Sequence, residues 1–256
     1  MKTEFFSGLV RKAQMGDTGA LEQLLLEAYT PVNYLTNRVL QNKETARQVT
    51  KEVLEIISSR LNSLDDAAQF QKWMCRITAA RCMQVMPLPR HKFVAVGSTP
   101  LDLPKDGTQL TEEQSAQLIQ AITDNLPERQ RLCILLLGCG GLGVHAIAQL
   151  TGFSTTTVSE HLELGQSAIQ KQIWELQNRN IQLTGLSSLT GILQSAMFHK
   201  NPEEDPIPTV YGILGKEIPV PPDPAKLVIR ILSVILVILS VAVLVTGGIL
   251  AMKLFA

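Results

Sequence analysis

The chain is poor in the residues on which site chemistry depends. Its 256 residues hold four cysteines and four histidines. Cys75, Cys82, Cys133 and Cys139 sit inside apolar runs and form no CxxC pair. That excludes a zinc ribbon or a dithiol redox motif and leaves buried thiols of a reducing compartment. His91, His145, His161 and His199 are scattered, and no Ser, Cys or carboxylate stands at a partner spacing. Neither a catalytic constellation nor a metal site is expected, so the chain reads as non-enzymatic and without a cofactor. Net charge is lacking too, with 23 basic against 23 acidic residues, but the balance is uneven. Residues 1–92 carry 13 Lys or Arg against 9 Asp or Glu, whereas residues 112–180 carry 4 against 7.

Charge is missing altogether from Ile231 to Met252, where ILSVILVILSVAVLVTGGILAM runs for 22 residues. As a helix this stretch covers about 33 Å, enough to cross a bilayer. A buried globular helix would keep more polar positions than Ser233, Ser240 and Thr246. A single transmembrane helix over 227–252 is therefore expected. Lys226 and Arg230 precede the run and Lys253 follows it, which places the preceding residues on the cytoplasmic side. The N-terminal stretch MKTEFFSGLVRKAQ has no apolar core, and no signal peptide is expected.

What the chain does have is helical periodicity. Leu21, Leu24, Leu25 and Ala28, then Val49, Val53, Ile56, Ile57 and Leu61, recur at helical spacing, and no alternation of period two appears before residue 90. The spacing predicts an all-α protein. Its order is a helical bundle over 1–86, a linker over 87–110, a small helix-turn-helix domain over 111–178, an amphipathic segment and proline-rich spacer over 179–226, and the membrane helix. Turns are expected at Gly16-Asp17, at Pro31, at Asn42-Lys43 and from Ser63 to Asp66. Thr111-Glu112-Glu113-Gln114 has the form of a capping box. Leu183, Leu186, Leu189, Ile192 and Leu193 predict one amphipathic helix within 181–198. Seven prolines in 201–226 predict an extended spacer.

Two motifs compete around residue 140. Gly138-Cys139-Gly140-Gly141-Leu142-Gly143 matches GxGxxG, with Glu160 and Glu163 about twenty residues on, as in a dinucleotide site. That reading needs a strand before the glycines, yet Leu126-Pro127-Glu128-Arg129-Gln130 has the character of a helix start. A helix-turn-helix fits better. Val144 to Leu150 forms a short helix, Gly152 takes the left-handed corner, and Ser154 caps a second helix from Thr155. Ile147, Ala148, Leu150, Val158 and Leu162 then form a shared core. Thr155, Thr156, Ser159, Glu160 and Glu163 lie on the outer side of the second helix, where a reading helix meets DNA.

The stretch LPERQRLCILLLGCGGLGVHAIAQLTGFSTTTV, residues 126–158, resembles the promoter-binding fourth region of bacterial RNA polymerase sigma factors of the extracytoplasmic-function group. LVRKAQMGDTGALEQLLLEAYTPVNYLTNRVL, KETARQVTKEVLEII and FQKWMCRI resemble that family's second region, in the same order. The likeness spans about residues 6–86 and 112–175. It implies polymerase binding by the helix around Ala46 to Ile57, with Arg47, Gln48, Lys51 and Glu52 as contact residues. It implies contact with the melted minus-ten element by the helix carrying Phe70, Trp73, Arg76 and Arg81, although Phe70 and Trp73 also suit a bundle core. Duplex contact is implied for Thr155, Thr156, Thr157, Ser159, Glu160 and His161.

The resemblance implies a membrane-anchored sigma-like factor whose partners are core RNA polymerase, promoter DNA, the membrane and a membrane regulatory protein. The chain departs from the family in two places. Arg47 and Lys51 reverse the charge usual on the polymerase-binding helix. Ser159, Glu160 and Glu163 replace the Lys and Arg usual on the reading helix, where carboxylates oppose phosphates. The alternative is a sigma-derived, membrane-tethered adaptor or sequestering protein without promoter activity. In either case the segment 181–198 and the spacer are candidates to dock on the reading helix or on a membrane partner.

Overall fold

Side-chain caps decide where the first helices begin. A computed structural model of the chain describes residues 2–86, 103–185, 188–198 and 205–217. Helix α1 spans Lys2–Gln14, and after Gly16 the carboxylate of Asp17 accepts the Ala20 N–H at 3.0 Å to open α2, Thr18–Leu40. Asn42 does the same for α3, Lys43–Arg60, accepting from Thr45 N–H at 2.9 Å. Two 3-10 turns, Leu61–Ser63 and Ala67–Gln69, then lead into α4, Phe70–Val85. The turn expected at Pro31 is absent, since α2 runs through it. Leu24, Leu25, Ala28, Val32 and Leu35 share one buried stripe on either side of the proline. Burying that stripe outweighs the roughly 3 kcal/mol that an interior proline costs.

The capping box forms at α5, Glu112–Asp124, where Thr111 and Gln114 exchange side-chain-to-backbone bonds of 3.2 and 3.0 Å. Helix α6, Glu128–Gly138, starts directly after Pro127. Helix α7, Val144–Thr151, turns through Gly152 into α8, Thr155–Asn178. Gly152 has φ +73°, a left-handed corner in which a Cβ is strained, and Ser154 Oγ accepts from Thr157 N–H at 3.0 Å. Ile147, Ala148, Val158 and Leu162 are buried between the two helices, and Leu150 is half-buried.

Among the described residues the chain is all-α, the one trace of pairing being an isolated bridge between Gln109 and Gln182. That bridge departs from two expectations. The last part of the expected linker, 103–110, is fastened to the end of α8 by Leu110 N–H to Gln182 O at 2.9 Å, Gln182 N–H to Thr108 O at 3.0 Å and an Arg179–Asp106 ion pair of 2.6 Å. Residues 181–184 are thereby extended, so the amphipathic helix is only α9, Leu189–Met197. It packs on α5, α6 and α2, where Leu193 and Met197 are buried.

The expected extended spacer also holds a helix, α10, Ile207–Leu214. Pro206 and Pro208 fall at its start, where a missing N–H costs no helical bond. It packs on α2 and α3. Tyr211 donates its hydroxyl to Glu22 Oε1 at 2.7 Å, and Lys216 pairs with the same carboxylate, which lowers the Glu22 pKa.

The core centres on α2 and α3, with α4 across them. A polar thread crosses it, the Thr36 and Thr50 hydroxyls meeting at 2.8 Å and Thr50 donating to Ala46 O at 2.7 Å. The helices before and after residue 100 pack together within one unit, Met1–Lys216. Here α2 meets α6, α4 meets α7, and Arg38 pairs with Asp124 while donating to Gln120 Oε1 at 2.8 Å. The expected membrane helix, 227–252, lies outside the described residues. Among the described helices none is long and apolar enough to cross a membrane.

Candidate nucleic-acid interface

Helix α4 has a buried edge and an open one. Phe70, Met74, Cys75, Thr78, Ala79 and Cys82 recur at helical spacing and are buried, the helix packing on α1, α2 and α3 and Cys75 lying against the turn at Cys139 and Gly140. Phe70 stacks on Phe6 with ring centroids 5.4 Å apart, so of the two aromatics on this helix it is the core residue. Trp73 is half-buried and Arg76 exposed. Both line a cleft of about 570 Å³ whose opposite wall is the α6–α7 corner, with Gly141, Leu142, Gly143 and Ala146. Lys72 and Gln69 line it as well. Lys72 was not singled out by the sequence, although its spacing of four from Arg76 puts the two cations on one helix face.

Arg81 is drawn elsewhere. Its guanidinium pairs with Glu52 of α3, and that contact holds the Glu52 carboxyl below the usual carboxylate range. Two residues expected at different surfaces, Arg81 at the melted strand and Glu52 at the polymerase, therefore satisfy each other. Gln48 donates to Glu52 Oε1 at 3.2 Å, Lys51 lies 3.9 Å from Glu55, and Arg47, Gln48 and Lys51 remain exposed. Helix α10 leaves all three uncovered, although it packs on α3.

On α8 the expected outer face divides. Thr155, Thr156, Ser159, Glu160 and Glu163 are exposed. Thr157 is half-buried and used for capping, its hydroxyl 2.8 Å from Ser154 Oγ. His161 turns inward against Phe153, the ring centroids 6.0 Å apart, and both its ring nitrogens are buried with no hydrogen-bond partner. Arg129 of α6 lies over the Phe153 ring at 5.3 Å. Burial and the nearby Arg129 charge lower the His161 pKa, with Glu160 opposing. The segment 181–198, a candidate cover for this helix, packs instead through α9 on α5, α6 and α2, and the outer face of α8 stays open.

A pH dependence follows. The folded protein resists a proton that the unfolded chain accepts near the ordinary imidazole value of about 6.5. Stability contributed by neutral His161 is complete above that pH and is lost as the pH falls below it. Thermal melts of His161→Phe should be flatter than those of the native protein between pH 7 and pH 5. Parallel curves would show that His161 does not carry the effect.

The glycine run performs close packing at its first half. A Cβ on Gly140 would stand 2.7 Å from Leu136 O and 3.1 Å from Leu142 Cγ, and one on Gly138 would meet the Leu193 side chain. Gly138 ends a helix, α6, where the dinucleotide reading needs a strand. The four thiols are all free and buried, and burial pushes Cys75 and Cys82 up to about 12 and Cys133 to about 11. They are inert packing groups. Among the described residues no cluster of His, Cys, Asp or Glu is arranged to hold a metal ion. In comparison with known proteins, the chain matches no family model, and no curated protein matches it.

Proposed function

We propose that the protein is a membrane-anchored, sigma-like initiation factor that directs RNA polymerase to promoters. The observation that carries this reading is the α7–Gly152–Ser154–α8 corner, whose outer residues Thr155, Thr156 and Ser159 stand free on the first two turns of α8. A second helix presented in this way has the geometry of a major-groove reader. Helix α4 supplies Trp73 and Arg76 for unpaired bases, and α3 offers Arg47, Gln48 and Lys51 to a protein surface. The uncharged run within 227–252 anchors the protein, with residues 1–226 on the cytoplasmic side.

Run-off transcription with core RNA polymerase and the detergent-solubilised full chain tests the proposal. Co-purification with the polymerase and a promoter-specific transcript are expected. If the protein neither associates with polymerase nor yields such a transcript, the proposal fails.

One observation favours a second reading, the sigma-derived tethered adaptor. Glu160 and Glu163 are exposed on the face that would meet phosphates, and Arg81 is committed to Glu52. Polymerase binding without any promoter-specific transcript is the result that selects this reading over the first.

A further inference from the structure

The cleft between α4 and the α6–α7 corner has the composition of an anion site with an aromatic wall. No carboxylate is among its lining residues. Lys72 and Arg76 project from α4 one turn apart, both exposed, and neither forms an ion pair or hydrogen bond among the described residues. Between them in sequence, Trp73 adds an aromatic side chain to the lining, with Leu64 and Ile77 as apolar neighbours in the cleft. The facing wall holds Leu142 and Ala146 and exposes backbone at two glycines. Gly141 and Gly143 meet nothing within 4 Å where a Cβ would stand, so a ligand can approach the chain closely there. Gly143 is also the N-cap of α7 and supplies no side-chain acceptor, which leaves the first N–H groups of that helix without a side-chain cap.

We propose that this cleft binds a free nucleoside polyphosphate, the base lying against Trp73 and the phosphates held by Lys72 and Arg76 near the start of α7. An aromatic face suits a base, two unpaired cations suit two phosphate groups, and about 570 Å³ falls within the usual range of small-molecule sites. A nucleic-acid strand offers the same chemistry, but a strand is held by cations that continue along a groove. The next cation on this helix, Arg81, is taken by Glu52 and does not line the cleft. The second half of the glycine run thus contributes to a nucleotide site without any dinucleotide-binding fold. The inference is independent of the transcriptional reading, because neither polymerase nor promoter enters it.

The chain has two tryptophans, and Trp174 is 60 % exposed on α8, outside the cleft. In the full-length Trp174→Phe protein in detergent, fluorescence therefore reports Trp73 alone. Titration with ATP should quench it saturably. Adenosine and inorganic phosphate, which each supply half of the contacts, should bind at least about tenfold more weakly. Adding Lys72→Ala and Arg76→Ala should weaken ATP binding by about tenfold or more, whereas Lys171→Ala, an exposed cation outside the cleft, should leave it unchanged. Lys72 and Arg76 are exposed and unpaired, so the double variant should keep the native circular dichroism and melting temperature. Absence of saturable quenching by ATP up to about 1 mM overturns the proposal. So does quenching that survives the double substitution. Binding of a single-stranded oligonucleotide without binding of ATP also overturns it, and would assign the cleft to a strand.

Discussion

Phe70→Ala should lower the stability of the protein by about 3–5 kcal/mol, the cost of deleting a fully buried aromatic ring. For a unit of this size that corresponds to a melting-temperature drop of roughly 6–20 °C, readable by circular dichroism. The ring has no solvent exposure, stacks on Phe6, and joins α4 to α1. The surroundings cannot close around the loss, because Phe6, which stacks on the ring, and Met74, one turn further along α4, are themselves buried and packed. Trp73→Ala three residues on should cost less, since that side chain is only half-buried, in the cleft wall. The resemblance read from the sequence implies one strand-facing helix for both aromatics, so the pair of variants separates core from cleft. Equal and small effects of the two would show that Phe70 is not the anchor of α4.

The other large effect is expected on α8. The combined change Ser159→Lys, Glu160→Lys and Glu163→Lys alters the charge of three exposed positions from −2 to +3. Three new phosphate contacts should steepen the slope of log K against log salt by about 2.7 and raise duplex affinity by about two orders of magnitude near 0.1 M salt. The fold should be unaffected, because all three side chains point to solvent and lysine is a good helix former. Filter binding of a promoter duplex across a salt series measures both quantities. If the native protein already binds the duplex tightly and with a steep salt slope, Glu160 and Glu163 are not the barrier, and the adaptor reading loses its main support.

These two sites show how far the sequence reads. The stripe of α2, the breaks at Gly16-Asp17 and Asn42-Lys43, the caps at Thr111 and Ser154, and the left-handed Gly152 were all legible, because each depends on residues within a few positions of one another. Proline misled twice. Pro31 has the local signature of a turn but sits in a helix whose buried stripe continues past it, and the prolines after 201 suggest a spacer although two of them start α10. His161 is a duplex-contact candidate only through the resemblance, but Phe153 and Arg129, from the corner and from α6, enclose it.

By itself the sequence determined the all-α class, the helix boundaries at capped ends, the acidic character of the α8 face and the uncharged run near the C-terminus. Periodicity, caps and hydropathy are local properties of a chain, and local physics is enough to set them. Only the tertiary structure decided that Phe70 is core while Trp73 lines a cleft, that Arg81 is spent on Glu52, that α9 and α10 return to the bundle, and that Lys72 and Arg76 face Gly141 and Gly143. Each of these joins residues tens of positions apart. The net charge of the segment around Arg81 is the same whether or not a carboxylate from α3 stands beside it, and only packing brings that carboxylate there.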